Sequence, residues 1–282
     1  MNKLSLTICF IFYLFFINSS TKGFELKGKI IKKSMISSVT HSSRDYLIYI
    51  PENINNDEEI PVLLFLHGNG ERGNDVNTVK IHGPLKEIEN GREFPFIIIA
   101  PQMLPFPDDY NHSPNLNSHL IDWTKRQSMK RETFNAKNRY ETPYPPYGWD
   151  ILEKDLIALI NNTVKEYNGD KNRIYITGLS YGGYGTWYML SKYPEIFAAG
   201  VPICGAGNPE DAKKIGKTPV WLFHGGRDRV ILPQWSLEMA DSLDAAGGNI
   251  IVTVHEDLAH NCWTRVYSGK DMYDWLLNNT KR

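Results

Sequence analysis

The sequence has few cysteines, almost no net charge and no apolar run of the length that a membrane-spanning helix needs. Its 282 residues include three cysteines and carry a formal net charge of −1. A balanced charge gives no indication of a nucleic-acid partner. The sequence also lacks an HExxH pair, paired CxxC motifs and a phosphate-binding glycine loop that ends in Lys-Ser/Thr, so it implies no metal and no cofactor.

The N-terminus has the pattern of a secretory signal. Lys3 supplies a positive charge, Leu4–Ile17 is an apolar run, and Asn18-Ser19-Ser20 supplies small residues for cleavage. The run of about 14 residues is shorter than the roughly 20 that a spanning helix needs. We therefore predict a signal peptide over residues 1–22 and a secreted or periplasmic protein without a stable membrane anchor. An uncleaved anchor is the alternative.

Removal of that segment would leave two cysteines, Cys204 and Cys262. An oxidising compartment would permit a disulfide between them. Two cysteines are too few for a disulfide scaffold, and a chain of this length does not need one. We favour buried free thiols and leave the pairing open, as we leave the oligomeric state.

The stretch Ile174–Gly183 predicts a buried strand, a Gly-x-Ser-x-Gly turn and then a helix. This is the pattern of the nucleophile elbow of serine hydrolases, in which a sharp turn presents the serine at a helix N-terminus. Glycines at positions 178 and 182 remove Cβ atoms that would collide in such a turn. Ser180 is therefore the predicted nucleophile, and the backbone N–H of Tyr181 is a predicted oxyanion donor.

Strand and helix patterns alternate along the rest of the chain, which is typical of an α/β fold with a doubly wound, mostly parallel sheet. Continuous apolar runs such as Pro61–Leu66 favour strands covered on both faces. We predict one catalytic domain over residues 23–282. Further strands are predicted at Phe24–Ile36, Tyr46–Ile50, Phe96–Ala100, Ala199–Ile203, Val220–Phe223 and Ile250–Val254, and helices at Gly83–Asn90, Asp150–Tyr167 with Asp150 as its cap, Tyr184–Tyr193, Pro233–Ala246 and Tyr273–Leu277.

A glycine-rich loop, His67–Gly73, follows the strand Pro61–Leu66. Serine hydrolases place their second oxyanion donor in a loop at this position. We assign the backbone N–H of Asn69 to this role, with Gly68 as the alternative. His67 is expected to support the loop without transferring a proton, and Arg72 is expected to anchor it.

A serine nucleophile needs a base, and the base needs an acid that orients it. Three histidines follow Ser180, and His260 lies in a loop just past the last predicted strand, at the sheet end where the elbow also lies. His255 ends that strand, and His224 precedes the acid candidate. We therefore predict His260 as the base.

The predicted acid is Asp228, which follows the strand Val220–Phe223. Its position after the second-last strand agrees with the order serine, acid, histidine. Its neighbours Arg227 and Arg229 leave a salt-bridge role open. Glu256 and Asp257 are competitors because they lie close to His260 in sequence.

The segment 102–148 is long, irregular and rich in Pro, Tyr and Asn, and we interpret it as a lid or a wall of the substrate site. Its basic run Lys125–Arg139 is either a solvated face or a contact for an acidic polymer. Tyr147 and Trp149 either offer flat faces for a sugar or aryl group or pack rigidly at the end of the segment. Trp263 is a further candidate substrate contact.

Five motifs together resemble a family of α/β-hydrolases that comprises secreted esterases related to feruloyl and acetylxylan esterases and to polyhydroxybutyrate depolymerases. Its members are often labelled predicted peptidase or phospholipase/carboxylesterase. The resemblance covers roughly Tyr46 to Leu277 and implies an α/β-hydrolase fold and ester hydrolysis by Ser180, Asp228 and His260. The motifs are His67–Gly73, Gly178–Trp187, Val201–Gly205, His224–Asp228 and His260–Trp263.

The resulting hypothesis is a secreted serine carboxylic-ester hydrolase that forms an acyl-enzyme. Its expected substrates are acyl esters, feruloyl or acetyl, of plant-type polysaccharides, although the sequence leaves the acyl and alcohol groups open. A serine peptidase of related fold and a catalytically inactive carbohydrate-binding protein are the alternatives.

Overall fold

The computed structural model describes residues 28–52, 58–105 and 148–281. The predicted signal peptide, Tyr147 and the basic run Lys125–Arg139 lie outside these ranges. The described residues form one eight-stranded sheet with helices packed on both of its faces. This architecture confirms the predicted α/β class and the mostly parallel sheet.

The strands occur close to the positions that the apolar runs predict. They are β1 (Lys29–Ile36), β2 (Ser43–Ile50), β3 (Ile60–Leu66), β4 (Ile97–Pro101), β5 (Gly169–Leu179), β6 (Ala199–Ile203), β7 (Val220–Gly225) and β8 (Ile250–His255).

The described helices are α1 (Gly83–Glu89), α2 (Glu153–Glu166), α3 (Tyr181–Lys192), α4 (Ala212–Ile215), α5 (Pro233–Ala245), α6 (Trp263–Ser268) and α7 (Asp271–Leu277). Short 3₁₀ turns cover Asn69–Glu71, Val76–Lys80, Trp149–Leu152, Pro209–Asp211 and His260–Cys262.

The order of the strands in the sheet is β1-β2-β4-β3-β5-β6-β7-β8. Strand β2 runs antiparallel to both of its neighbours, and β3 to β8 pair in parallel. The carboxyl ends of these parallel strands therefore meet at one edge of the sheet. Ligand sites of open α/β sheets lie at this edge.

Strand β3 shows why a continuous apolar run belongs in this sheet. All seven of its residues are buried. Val62, Leu64 and Leu66 pack in the core on one face, and Leu63 and Phe65 pack in the core on the other. Because successive side chains of a strand point to opposite faces, both faces of β3 must be apolar.

The helix predicted at Asp150–Tyr167 begins later than the sequence indicates. The chain first makes a 3₁₀ turn over Trp149–Leu152, and α2 begins at Glu153 with Leu152 at its N-cap and no side-chain capping bond. The prediction that Asp150 caps this helix is therefore wrong, because Asp150 lies inside the preceding turn. Burial raises the pKa of its carboxyl group.

Within the described ranges, no helix combines the length and the apolarity that crossing a bilayer requires.

Candidate active site

Strand β5 ends in a sharp turn that presents Ser180 at the start of α3. Ser180 has φ 54° and ψ −115°, a backbone conformation that is strained for a residue with a side chain. The turn is held because the Ser180 N–H donates to the Ile203 carbonyl at 2.9 Å and the Tyr184 N–H donates to the Ser180 carbonyl at 3.1 Å. The serine is half-buried, so its hydroxyl lies at the sheet edge within reach of solvent.

The structure brings the three side chains of the predicted triad together. His260 Nε2 lies 3.0 Å from Ser180 Oγ, and His260 Nδ1 lies 2.6 Å from Asp228 Oδ2. Because an ionised carboxylate only accepts hydrogen bonds, His260 Nδ1 carries the proton and Nε2 is the acceptor for the serine hydroxyl. This is the proton arrangement that a general base beside a serine nucleophile requires.

Asp228 is held as a buried carboxylate. Its Oδ1 accepts the backbone N–H groups of Val230 at 2.8 Å and Ile231 at 3.0 Å. Its Oδ2 accepts from His260 and, at 3.1 Å, from His224 Nε2. Burial alone would raise the pKa of Asp228, but the hydrogen bonds from the two histidines outweigh it and lower the pKa to about 2.

The glycine-rich loop after β3 lies against the elbow. Leu66 pairs with Gly178 in the sheet, and a Cβ at Gly68 would come within 2.7 Å of the Leu179 side chain. The loop and α3 also meet where the Arg72 guanidinium lies 5.8 Å from the Tyr181 ring centre. The backbone of Asn69 and that of Tyr181 are thus on neighbouring elements.

His67 and Arg72 support the loop as expected. The Met103 N–H donates to His67 Nε2 at 2.9 Å, so Nδ1 carries the ring proton and donates to the Gly68 carbonyl at 2.6 Å. Arg72 Nε donates to the Leu104 carbonyl at 2.8 Å. His67 is fully buried, so its ring fixes the backbone on which the predicted donor Asn69 lies.

Similarity to known proteins agrees with this geometry. Residues 152–211, which contain the elbow, match the Prolyl oligopeptidase family. A solved thermostable esterase superposes with a TM-score of 0.63 at 28% identity, over 89% of this chain and 63% of its own. The chain therefore has an α/β-hydrolase fold and is similar to esterases of that fold.

Two curated relatives are fungal esterases, each of which matches about a quarter of the chain. Feruloyl esterase B of Neurospora crassa is 38% identical over 64 residues, which cover 23% of this chain and 22% of that enzyme. Acetylxylan esterase A of Emericella nidulans is 31% identical over 77 residues, which cover 23% of this chain and 25% of that enzyme. The chain therefore aligns with about a quarter of the length of these relatives.

Two thiols lie directly behind the predicted triad, a position that the sequence pattern does not indicate. Cys204 and Cys262 are both free and buried, as favoured from the sequence. Burial and the neighbouring Cys262 thiol raise the pKa of Cys204 well above its usual range, so it is a protonated thiol. Cys262 ends the 3₁₀ turn that begins with His260, so packing of this thiol supports the histidine.

Among the described residues, one group of side chains has the composition of a metal site. The ligand atoms of Cys204, Asp228 and His260 lie within 4.8 Å of one another. His260 and Asp228 are hydrogen-bonded to each other, and Cys204 is a neutral thiol, whereas metal coordination requires a thiolate. These three side chains therefore fit the acid and base of a hydrolytic triad with a buried thiol behind them better than they fit a metal centre.

The competing candidates lie elsewhere. Asp257 is exposed and forms an ion pair with Arg265, with Oδ2 and Nη2 2.6 Å apart. The imidazole of His255 stacks on Phe223, with 6.1 Å between the ring centres. Among the described residues, the carboxylate that is hydrogen-bonded to His260 is that of Asp228, at 2.6 Å.

The two described tryptophan candidates differ in accessibility. Trp149 is 1% exposed, and its Nε1 donates to the His67 carbonyl at 3.3 Å. Of the two alternatives for Trp149, this burial favours rigid packing over a face offered to substrate, because its ring packs under the loop. Trp263 is half-buried, and its ring lies edge-on to His260 with 5.1 Å between the centres, so it remains a candidate.

A crevice opens beside the elbow helix. Tyr181, Tyr184 and Tyr188 lie along one side of α3 and line it together with Trp149 and Asp150. The three tyrosines are half-buried and are spaced three and four residues apart, which places them on one helix face. An aromatic surface therefore begins at the residue next to Ser180.

Glu71 and His82 are site residues that sequence reasoning missed. Glu71 is buried, with carboxylate oxygens 3.7 Å from His67 Nδ1 and 3.6 Å from His82 Nε2. Burial opposes its charge, yet the pKa of Glu71 is lowered because the two histidines outweigh the burial. His82 in turn contacts Trp263, with 5.4 Å between the ring centres, so the cluster joins the loop to the histidine side of the site.

Proposed function

We propose that this chain is a secreted serine esterase that cleaves carboxylic esters through Ser180, His260 and Asp228. The observation that carries the proposal is the continuous contact from Ser180 Oγ to His260 Nε2 at 3.0 Å and from His260 Nδ1 to Asp228 at 2.6 Å. Serine at its free pKa is a weak nucleophile, and an adjacent oriented base activates it.

The reaction begins when Ser180 Oγ attacks the ester carbonyl and His260 Nε2 takes the hydroxyl proton. Asp228 keeps the proton on Nδ1 and stabilises the imidazolium that forms. The backbone N–H groups of Tyr181 and Asn69 are proposed to bind the oxyanion, because N–H groups in the first turn of a helix point out of its N-terminal end.

Collapse of the tetrahedral intermediate releases the alcohol, which takes its proton from His260. The product is an acyl-enzyme on Ser180. Water then attacks the acyl carbon, His260 takes the water proton, and the serine leaves with that proton as the acid is released. Each step uses residues of the described site.

We propose feruloyl or acetyl esters of plant-type polysaccharides as the substrate class. The names of the fungal relatives support this class, although they match about a quarter of those enzymes. The half-buried rings of Tyr181 and Tyr184, on one face of the elbow helix, support an aromatic acyl or sugar group, because such groups stack on aromatic side chains. Trp263, which contacts His260, is a further proposed substrate contact.

A substrate panel tests the proposal. We expect turnover of 4-nitrophenyl acetate, methyl ferulate and acylated xylan oligosaccharides, and no turnover by Ser180→Ala. Peptide anilides are the contrasting substrates, because the Prolyl oligopeptidase match extends over the elbow. Cleavage of the anilide without cleavage of any ester would contradict the esterase proposal, and the absence of both would favour a binding protein.

The crevice can be tested separately. Tyr184→Ala should reduce kcat/KM for methyl ferulate several-fold and leave 4-nitrophenyl acetate less affected, whereas Tyr184→Phe keeps the ring and should resemble the wild type. Equal losses on both substrates would contradict an acyl-binding role. Secretion is tested by N-terminal sequencing of exported protein, with cleavage expected near residue 22.

A further inference from the structure

A second histidine contacts the carboxylate of the proposed triad. His224 lies in β7, four residues before Asp228, and its side chain is fully buried. Its Nε2 lies 3.1 Å from Asp228 Oδ2 and 2.9 Å from the Ile231 carbonyl, and its Nδ1 lies 2.8 Å from Ser236 Oγ. No step of the proposed reaction uses this side chain.

The partners of the ring determine its tautomer. Both groups that face Nε2 are acceptors, so Nε2 carries a proton. On the other side of the ring, Nδ1 lies 2.8 Å from Ser236 Oγ, and the Ser236 hydroxyl donates to the Gly205 carbonyl at 2.9 Å. The proton on Nε2 is thus the one that the contacts of the ring require.

We propose that His224 is a positioning residue: its Nε2–H shares Asp228 Oδ2 with His260 and holds the carboxylate in the orientation that His260 needs. This inference rests on the proposed function. The same N–H also contacts the Ile231 carbonyl, so it holds the loop in place. The backbone N–H groups of this loop, those of Val230 and Ile231, donate to Asp228 Oδ1.

Sharing one oxygen between two donors has a chemical consequence. Each donor to a carboxylate withdraws part of its negative charge. Without His224, Asp228 Oδ2 would interact with His260 alone and would hold the imidazolium more strongly. His260 would then stay protonated to higher pH, where it cannot accept the serine proton, and the acid limb of kcat/KM would move to higher pH.

Among the described residues, few other charged or titratable groups face Asp228 and His260. Cys204 lies behind these two side chains as a protonated thiol, with Cys262 next to it. Arg227 turns away, because its Nε donates to the Glu256 carbonyl at 3.1 Å. The acid limb should therefore respond to His224 more than to the surrounding charges.

Two substitutions of His224 distinguish the role of Nε2 from that of Nδ1. His224→Gln can place an amide N–H near the position of Nε2, whereas His224→Asn places its amide near Nδ1 and leaves Asp228 Oδ2 with one donor. Ser236→Ala is the matched control, because it breaks the same buried network on the Nδ1 side and leaves Nε2–H in place. Melting temperatures of all three variants report the purely structural cost.

We expect His224→Asn to lower kcat at pH 7 about 10- to 100-fold with little change in KM, as for a lost hydrogen bond to a charged group. Its acid limb should rise by about one pH unit. His224→Gln should stay within about threefold of the wild type, and Ser236→Ala should keep the wild-type acid limb even if it melts earlier.

Nitrogen-15 NMR of wild-type protein labelled at histidine provides a measurement that does not depend on activity. We expect His224, assigned from His224→Gln, to carry a proton on Nε2 at pH 7. A proton on Nδ1 alone would overturn the inference. If the wild type is active, an acid limb of kcat/KM that is the same in His224→Asn as in the wild type would overturn it too. A wild type that shows the expected proton on Nε2 but hydrolyses no ester would contradict the proposed function instead.

Discussion

The carbonyl oxygen of Leu66, at the end of β3, lies directly against Gly182, and a Cβ on that glycine would overlap it. This contact lets the elbow approach the loop that carries Asn69. Ser180 and Asn69, the proposed nucleophile and oxyanion donor, therefore lie close together, because they follow the carboxyl ends of the paired strands β5 and β3.

Gly182→Ala should therefore destabilise the fold. The added methyl group would push α3 away from β3, at a cost of about 2–4 kcal/mol in the free energy of unfolding. Gly70→Ala is the matched control, because a Cβ there meets nothing within 4 Å. Urea denaturation of both variants measures the difference, and equal midpoints would show that the contact can relax.

Asp228→Asn should lower kcat by about 10³- to 10⁴-fold, as expected when the base loses its orienting carboxylate. The amide N–H can face His260 Nδ1, which would then have to accept, so Nε2 would carry the proton and could not receive one from Ser180. Steady-state kinetics on 4-nitrophenyl acetate measures the loss. A loss of less than about tenfold would indicate that another group orients His260.

Stability at low pH should depend on the same carboxylate. The pKa of Asp228 is about 2 in the folded protein, below the value of about 3.9 for an unfolded chain. A lowered pKa contributes stability that is complete above the unfolded value and is lost as the pH falls through the folded value. The wild type should lose about 2 kcal/mol more than Asp228→Asn between pH 5 and roughly pH 2, as measured by urea unfolding. Identical pH dependence in the two proteins would contradict the shifted pKa.

The thiols behind the triad should be unreactive in the native protein. Cys204 and Cys262 are buried, and the raised pKa of Cys204 leaves almost no thiolate. Iodoacetamide followed by peptide mapping should modify neither cysteine until denaturant is added, which serves as the positive control. Rapid labelling of either residue in the native state would show that the histidine loop opens.

The parts of this molecule that follow local rules could be predicted from the sequence. The seven buried residues of β3 are apolar because both faces of that strand are covered. The elbow is recognisable because its turn tolerates only glycine at positions 178 and 182. The chain order of strand ends placed Asp228 and His260 at the edge where Ser180 lies.

The rest depends on tertiary contacts that have no local signal. Strand β5 begins at Gly169, earlier than its apolar residues indicate, because Gly169 pairs with Ile60 of β3. Trp149 packs against His67, which lies far from it in the sequence. The sequence offers His224 only as a possible base, although its position four residues before an acid at a strand exit is a signal for contact with Asp228.

The most direct test of the proposed chemistry is a covalent label on the nucleophile. The wild-type protein should react with a fluorophosphonate in a one-to-one ratio, and peptide mass mapping should place the adduct on Ser180. Ser180→Ala should remain unlabelled, and His260→Gln should react at least about 10²-fold more slowly because the base is lost. A wild type that is not labelled, or an adduct on another residue, would contradict the proposal that Ser180 is the activated nucleophile.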